Sequence, residues 1–306
     1  MASYTYPVAR PSGALTTEQI HLLLRNPLLI AKRVSTLVDQ RFISDFLLSG
    51  RYTAEGGGIF YETGEEIFPT DGSQSVAPGG EYPKTIINDG GMASAKTDKR
   101  GLETDITDER IKRGALGAVD RALNQIVNGV IRDVDGIAMS VIASKVTDTF
   151  ASSAWTSIDN VVKALAAAKA EREDLALGLG LDLDTVALSG AQWAKVMGLF
   201  ASAGVLPRED GNPIVNGQFP TNLLGYTWVT SPHIVGSNPM LVDRVQLGGM
   251  ADEDLGSPDY TRSGDFNVET YSQRNKTDSY TVRARRVVVP VVLEPHAGLH
   301  ITGTTL

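Results

Sequence analysis

Hydrophobic and polar positions change period along the 306-residue chain, and each change marks an element. Residues 1–13 are polar and carry Pro7 and Pro11, so they read as an irregular arm. Thr16 and Gln19 form the Thr-x-x-Gln pattern of a capping box, in which each side chain satisfies an amide of the other residue. A short helix carrying Leu22, Leu23 and Leu24 follows. Asn26-Pro27 ends it and opens a second helix, with Pro27 at the first position, where no amide hydrogen is needed. That helix is predicted through Val38 and on toward Leu48, with Gly50 closing the region.

The next pattern is polar, glycine-rich and acidic, but dotted with aromatics: "RYTAEGGGIFYETGEEIFPTDGSQSVAPGGEYP". Ile59, Phe60 and Tyr61 precede a Thr-Gly turn, and "MASAKTDKRGLETDIT" alternates small and polar residues. These features predict two or three long, exposed strands with loose tips. A disordered surface loop is the alternative, against which the aromatic content weighs.

From about Asp105 to Ser144 the period becomes helical: Ile111, Ala115, Val119, Leu123, Ile126, Val130, Val134, Ile137 and Val141 recur at spacings of three and four. At ~1.5 Å per residue such a helix is a rod of roughly 58 Å. A compact domain of this length has a radius of gyration of only ~19 Å. Gly114, Gly117, Gly129 and Gly136 each weaken a helix by about 1 kcal/mol against alanine. Either the helix breaks at its glycines, or the protein is elongated.

An alanine-rich helix is predicted from about Ser157 to Asp174 and a strand at "DTVALS". A second capping box, Ser189 with Gln192, starts the helix "GAQWAKVMGLFAS", which stops at Gly204. Short strands punctuated by Pro and Gly follow, then long β-rich segments to the end. The sum is α+β without βαβ alternation.

Composition narrows the function. Net charge is −8 and the pI about 5.1, the wrong balance for an electrostatic nucleic-acid binder, though compatible with a wall that holds DNA without gripping it. No cysteine is present, so disulfides and thiolate metal sites are excluded. The first residues, "MASYTYPVAR", lack the features of a signal peptide, and no apolar run approaches a membrane span.

A search for chemistry finds no active site. No Gly-Lys dipeptide occurs, hence no P-loop, and Gly56-Gly57-Gly58 lies in the wrong helix-to-strand order for a phosphate cradle. There is no G-x-S-x-G elbow. The histidines are His21, His233, His296 and His300; none lies in H-E-x-x-H, and Pro295 and Gly298 argue against a helix that would bring His296 and His300 to one metal. "ADEDLGSPD" fails the EF-hand spacing. No catalytic residue, cofactor or metal ligand is assigned.

Three stretches carry a likeness: "DTVALSGAQWAKVMGLFASAGVLP", "GNPIVNGQFPTNLLGYTWVTSPHI" and "SYTVRARRVVVPVVLEPHAGLHITG", the last with Arg283, Arg285, Arg286, Pro295, Ala297 and Gly303. In content and order they resemble the major capsid proteins of tailed bacteriophages, which have the Hong Kong 97-like fold. The resemblance implies an N-terminal arm at residues 1–49 and an extended E-loop at 50–104. It implies a spine helix within a peripheral domain at 105–154, an axial domain at 155–262, and C-terminal peripheral strands at 263–306. It further implies hexamers and pentamers of an icosahedral shell enclosing double-stranded DNA, made in the host bacterial cytoplasm and found in the virion, without a membrane. Portal and decoration proteins are implied partners. Almost nothing precedes the arm, so scaffolding is expected as a separate protein. Lys84, Lys96 and Lys99 are available for crosslinking, but non-covalent assembly is the expectation.

The glycine-rich stretch is then expected to lie across a neighbouring subunit. Phe60, Tyr61 and Phe68 would find apolar surface there, and Glu62, Glu65 and Glu66 would approach Arg110, Lys112 and Arg113 of the adjacent chain. Cations at a helix start are disfavoured by ~0.3–1 kcal/mol each, so these three call for an offset. The alternative is a solvated basic turn balanced by Asp108 and Glu109 of the same chain. Two other functions compete: an encapsulin-type nanocompartment shell of the same fold, and a soluble α+β enzyme with an unrecognised site.

Overall fold

A computed structural model describes residues 15–38, 42–64, 73–85, 90–173, 181–204, 222–234, 236–262 and 267–306. The elements begin with α1 (Thr17–Arg25), α2 (Pro27–Val38) and α3 (Ile43–Leu47), followed by β1 (Gly50–Ala54), β2 (Gly58–Thr63), β3 (Gly91–Lys96) and β4 (Asp98–Thr107). The helix α4 (Asp108–Lys145) leads to β5 (Thr149–Ala151), α5 (Ile158–Glu173), β6 (Thr185–Leu188) and α6 (Gly190–Ser202). Then come β7 (Asn222–Leu223), β8 (Tyr226–Thr230), β9 (Met240–Val242), α7 (Arg244–Leu247) and β10 (Gly248–Glu253). The chain closes with β11 (Thr261–Arg262), β12 (Glu269–Arg274), β13 (Ser279–Val292) and β14 (Gly298–Thr302).

These elements form two compact units, each assembled from three separate stretches of chain. The first takes Met1–Arg41, Arg100–Ile131 and Leu255–Arg286; the second takes Phe42–Lys99, Arg132–Asp254 and Val287–Leu306.

In the first unit the Thr16 capping box closes as its sequence predicts. The Thr16 amide donates to Gln19 Oε1 at 3.0 Å and the Gln19 amide to Thr16 Oγ1 at 3.3 Å. The helices α1 and α2 pack on β11 and β12 and bury Ile20, Leu24, Ile30, Ala31 and Val34. The Ser272 hydroxyl of β12 donates to the Leu24 carbonyl at 2.7 Å, satisfying a free acceptor at the end of α1. Strand β12 pairs antiparallel with β11 and with the first half of β13. Here α4 buries Ile111, Val119, Leu123, Ile126 and Val130, the predicted stripe.

The expected extension of the second helix toward Leu48 does not occur. Phe42 is extended (φ −78°, ψ 114°), and a separate five-residue α3 starts after it. The four glycines of α4 do not break it; 38 residues form one helix. In the second unit its buried stripe shifts to Val134, Asp135, Ala138, Met139 and Ile142, leaving Ile137 and Val141 only half-buried. The two halves of α4 serve different cores, so a single stripe cannot serve both.

The second unit holds a six-stranded sheet in the order β5-β14-β9-β6-β8-β7. Its core gathers Trp155, Val161, Leu165, Val186, Trp193, Phe200, Trp228, Leu241, Leu299 and Ile301. The ring centroids of Trp193 and Trp228 lie 5.3 Å apart with the planes tilted by 42°, and Phe200 meets Trp228 edge-on at 6.4 Å, a T-shaped contact that aromatic quadrupoles favour. The Ser189 capping box starts α6, with the Ser189 amide donating to Gln192 Oε1 at 2.8 Å. Strand β14, from the end of the chain, is thus part of the same sheet as β6, β8 and β9.

In the same unit β1 runs parallel to β10, which pairs antiparallel with the second half of β13. Gly50 faces Gly249 across the parallel pair, and a β-carbon at Gly249 would lie 2.3 Å from the Gly50 carbonyl oxygen. Only glycine permits this approach. Among its described residues the region 50–104, expected to hold two or three strands, contains β1, β2, β3 and most of β4.

Candidate assembly surface

Strands β2 and β3 form an antiparallel hairpin within the second unit, with Phe60 opposite Ser94, Tyr61 opposite Ala93 and Glu62 opposite Met92. Residues directly opposite in such a pair share a face, and neighbours along a strand take opposite faces. One face therefore carries Ile59, Tyr61, Ala93 and Ala95. Ile59, Tyr61 and Ala95 pack against Ala54, Ala251, Val289, Val291 and Leu293 of the same chain. The other face carries Phe60, Glu62, Met92 and Ser94. Phe60 is 80% exposed and Met92 71% exposed.

Polar contacts fix both ends of the hairpin. The Glu253 carboxylate accepts from the Gly57 amide at 2.9 Å and from the Thr97 hydroxyl at 2.7 Å, so one side chain of β10 grips both strands at their root. At the other end the Gly64 amide donates to the Leu293 carbonyl at 2.9 Å, and the Thr63 hydroxyl donates to the same oxygen at 2.8 Å. Hydrogen bonds to a charged group are worth about 1.5–3 kcal/mol, so the Glu253 grip is the stronger of the two.

The expected contact residues thus divide. Tyr61 finds its apolar partners on its own chain, because the odd positions of β2 face inward. Phe60 and Glu62 stand on the bare face. Glu65, Glu66 and Phe68 lie outside the described residues. Among the exposed apolar residues of this region that the sequence does not single out are Met92 and Tyr82, the latter 83% exposed in the stretch 73–85. Pairing "GIFYET" against "GMASAK" in antiparallel register signals Met92; nothing local signals Tyr82.

The basic turn belongs to the first unit. Arg110, Lys112 and Arg113 are all exposed on the first turns of α4, and among the described residues none of them forms an ion pair. Asp108 does not offset them. Its carboxylate receives two hydrogen bonds from Arg274, both 2.6 Å, and these hold its pKa below the usual carboxylate range. The pKa of Glu109 is lowered chiefly by a backbone hydrogen bond at the helix start, then by Thr107, with a smaller contribution from Arg113.

The histidines have separate tasks. His296 Nδ1 lies 2.7 Å from Asp148 Oδ2, which also pairs with Arg172 at 2.8 Å. Burial raises the Asp148 pKa, but the His296 hydrogen bond and the Arg172 charge outweigh it and hold the group low. His300 is half-buried in β14, and burial lowers its imidazole pKa.

An α+β chain with a clamped hairpin, a bare face on that hairpin presenting Phe60 and Met92, and an exposed basic helix start has the features of a structural subunit that meets other chains. The comparisons name the class. The family described as phage capsid protein matches residues 92–301, more than half of the sequence, and the chain belongs to it. Solved structures share its fold. The capsid of Cyanophage P-SCSP1u aligns with a TM-score of 0.54 at 13% identity, covering 82% of this chain and 85% of that one. Microbacterium phage Oxtober96 aligns at 0.52 and 11% identity over 85% and 90%. A virus-like particle from Pyrococcus furiosus aligns at 0.53 and 11% identity over 89% and 97%. No match is found among curated proteins. The α+β capsid fold expected from the sequence is the fold observed, and the protein is a phage major capsid protein, a structural component of the virion shell.

Proposed function

We propose that the chain is the head protein of a tailed phage, assembling into hexamers and pentamers of a closed icosahedral shell around double-stranded DNA, and that it catalyses no reaction. The family match over residues 92–301 carries this reading. The net charge of −8 supports it too, because a cationic wall would release counterions and retain DNA that has to move in and out. Residues 1–49 act as an arm, 50–104 as the extended loop and 155–262 as the axial domain, with β14 added to the axial sheet. Synthesis takes place in the host cytoplasm, and portal and decoration proteins complete the head.

The intersubunit contact we assign is the bare face of the hairpin, with Phe60 and Met92 at its centre and Glu62 beside them. Glu62, with Glu65 and Glu66, meets Arg110, Lys112 and Arg113 of the adjacent chain. Two observations support this: among the described residues of its own chain none of the three cations forms an ion pair, Glu109 acting on Arg113 only through a small charge contribution, and Asp108 is engaged by Arg274. Each such pair contributes only ~0.2–1 kcal/mol. A shell repeats it at every subunit.

Electron microscopy of the purified protein tests the reading. Closed shells with pentamers at the five-fold vertices and hexamers between them, which fill with DNA in infected cells, are expected. A stable monomer under all conditions, with no place in a particle, overturns it. Shells that enclose a protein cargo instead of DNA select the nanocompartment reading.

A further inference from the structure

We propose that Asp135 is a conformational latch: it caps the short helix α3 from the side of α4, and its hold or release sets whether the root of the β2–β3 hairpin is fixed or free to shift. All the parts lie within the second unit.

The helix α3 has five residues, far too few to persist by itself. The first amides of a helix lack partners within it, and a Ser, Thr, Asp or Asn at the preceding position normally accepts from them. Here that position is Phe42, whose side chain cannot. Asp135 does so from another helix. Its Oδ1 accepts from the Ser44 amide at 3.1 Å and the Ser44 hydroxyl at 2.6 Å, and its Oδ2 lies 3.4 Å from the Ile43 amide. The residue is 2% exposed, in the stripe where α4 otherwise carries Val134, Ala138 and Met139.

The hold is opposed as well as strong. Burial pushes the Asp135 carboxyl above the usual carboxylate range, so closing α3 over the ionised group sacrifices its hydration while three hydrogen bonds favour closure. A closed state held by hydrogen bonds against the burial of its own acceptor responds to changes around it.

What α3 does is transmitted to the hairpin by short links. Only Leu48 and Ser49 separate it from β1. Asp45 of α3, its side chain 4% exposed, pairs with Arg51 of β1. The Arg244 guanidinium stacks over the Phe46 ring at 4.2 Å, and the Ser49 hydroxyl donates to the Arg244 carbonyl at 2.6 Å. Strand β1 then leads through Glu55 and Gly57 into β2. Releasing α3 loosens the strand from which the hairpin springs, while the tryptophan core of the same unit stays packed.

Hydrogen exchange of the unassembled subunit tests this independently of shell formation. In Asp135→Asn the amide nitrogen of the new side chain faces the Ile43 donor, and in Asp135→Ala both amides lose their acceptor. Local opening follows the free energy of the hydrogen bonds removed, so exchange at residues 43–54 rises about tenfold in Asp135→Asn and further in Asp135→Ala, while residues 185–188 of β6 stay protected. Ser44→Ala, which removes only the hydroxyl bond, gives a smaller rise at the same residues. Unchanged exchange at residues 43–48 overturns the proposal. So does an equal rise across residues 43–54 and 185–188, which would make Asp135 a plain core residue. A rise in α3 that stops short of β1 breaks the link to the hairpin root and overturns it as well.

Discussion

Phe60 and Tyr61 are adjacent in the chain and stand on opposite faces of one strand: Tyr61 packs with Ile59 on Val289 and Val291, and Phe60 is 80% exposed. The two positions therefore separate folding from assembly. Phe60→Ala is expected to change the thermal stability of the subunit by no more than about 0.5 kcal/mol, as surface substitutions do. Shell yield, counted by electron microscopy, should fall. Tyr61→Ala should destabilise the subunit itself by about 1–2 kcal/mol through lost burial. If both variants fold and assemble alike, the bare face is not a contact.

The basic turn gives a second expectation. Arg113→Glu should lower shell yield and flatten its dependence on salt, since an attraction between exposed charges is what salt screens. Glu62→Arg in the same chain should restore part of the yield, because the reversed pair attracts again. A yield and salt dependence unchanged by Arg113→Glu would show that this residue is merely solvated.

Acid should weaken the second unit in a window set by His300. Burial lowers its folded pKa, so the unfolded chain, with an ordinary value near 6.5, binds the proton first on acidification. The associated stability is complete above that ordinary value, declines as pH falls through it, and is gone below the folded pKa. Asp148, held low by His296 and Arg172, adds a separate loss only in the carboxylate range, near 4. Urea unfolding at a series of pH values should show both windows, and His300→Gln should abolish the upper one alone.

Gly249→Ala tests the close approach of β1 and β10. A methyl group there would sit 2.3 Å from the Gly50 carbonyl oxygen, so the strands have to part. Overpacking of this kind costs about 1–3 kcal/mol. Calorimetry should show the loss, and Gly57→Ala, where no atom lies within 4 Å, should lose stability only through its positive φ of 89°.

Much of this architecture was legible in the sequence wherever one residue's neighbours decide its state. The Thr16 and Ser189 capping boxes, Pro27 at a helix start and the β6–α6 succession are all local signals, and all are present in the structure. The helix α3 was not legible, because its cap lies about ninety residues away on α4. Nor was the division between Phe60 and Tyr61: alternation announces two faces without saying which one the chain itself covers. The stripe of α4 was right for one half and drifted in the other, where Ile137 and Val141 yield to Ala138 and Ile142, because the helix changes the core it serves.

The interleaving of the two units also governs when a subunit comes into being. Strand β13 pairs with β12 in one unit and with β10 in the other, and it leaves the ribosome after both of them. Loops this long must close before their pairing rewards them, so neither unit can finish until β13 has been made. A nascent chain that stops short of this strand offers no complete surface to a growing particle. The order of the polypeptide thus makes completion of both units a late event in the life of the chain.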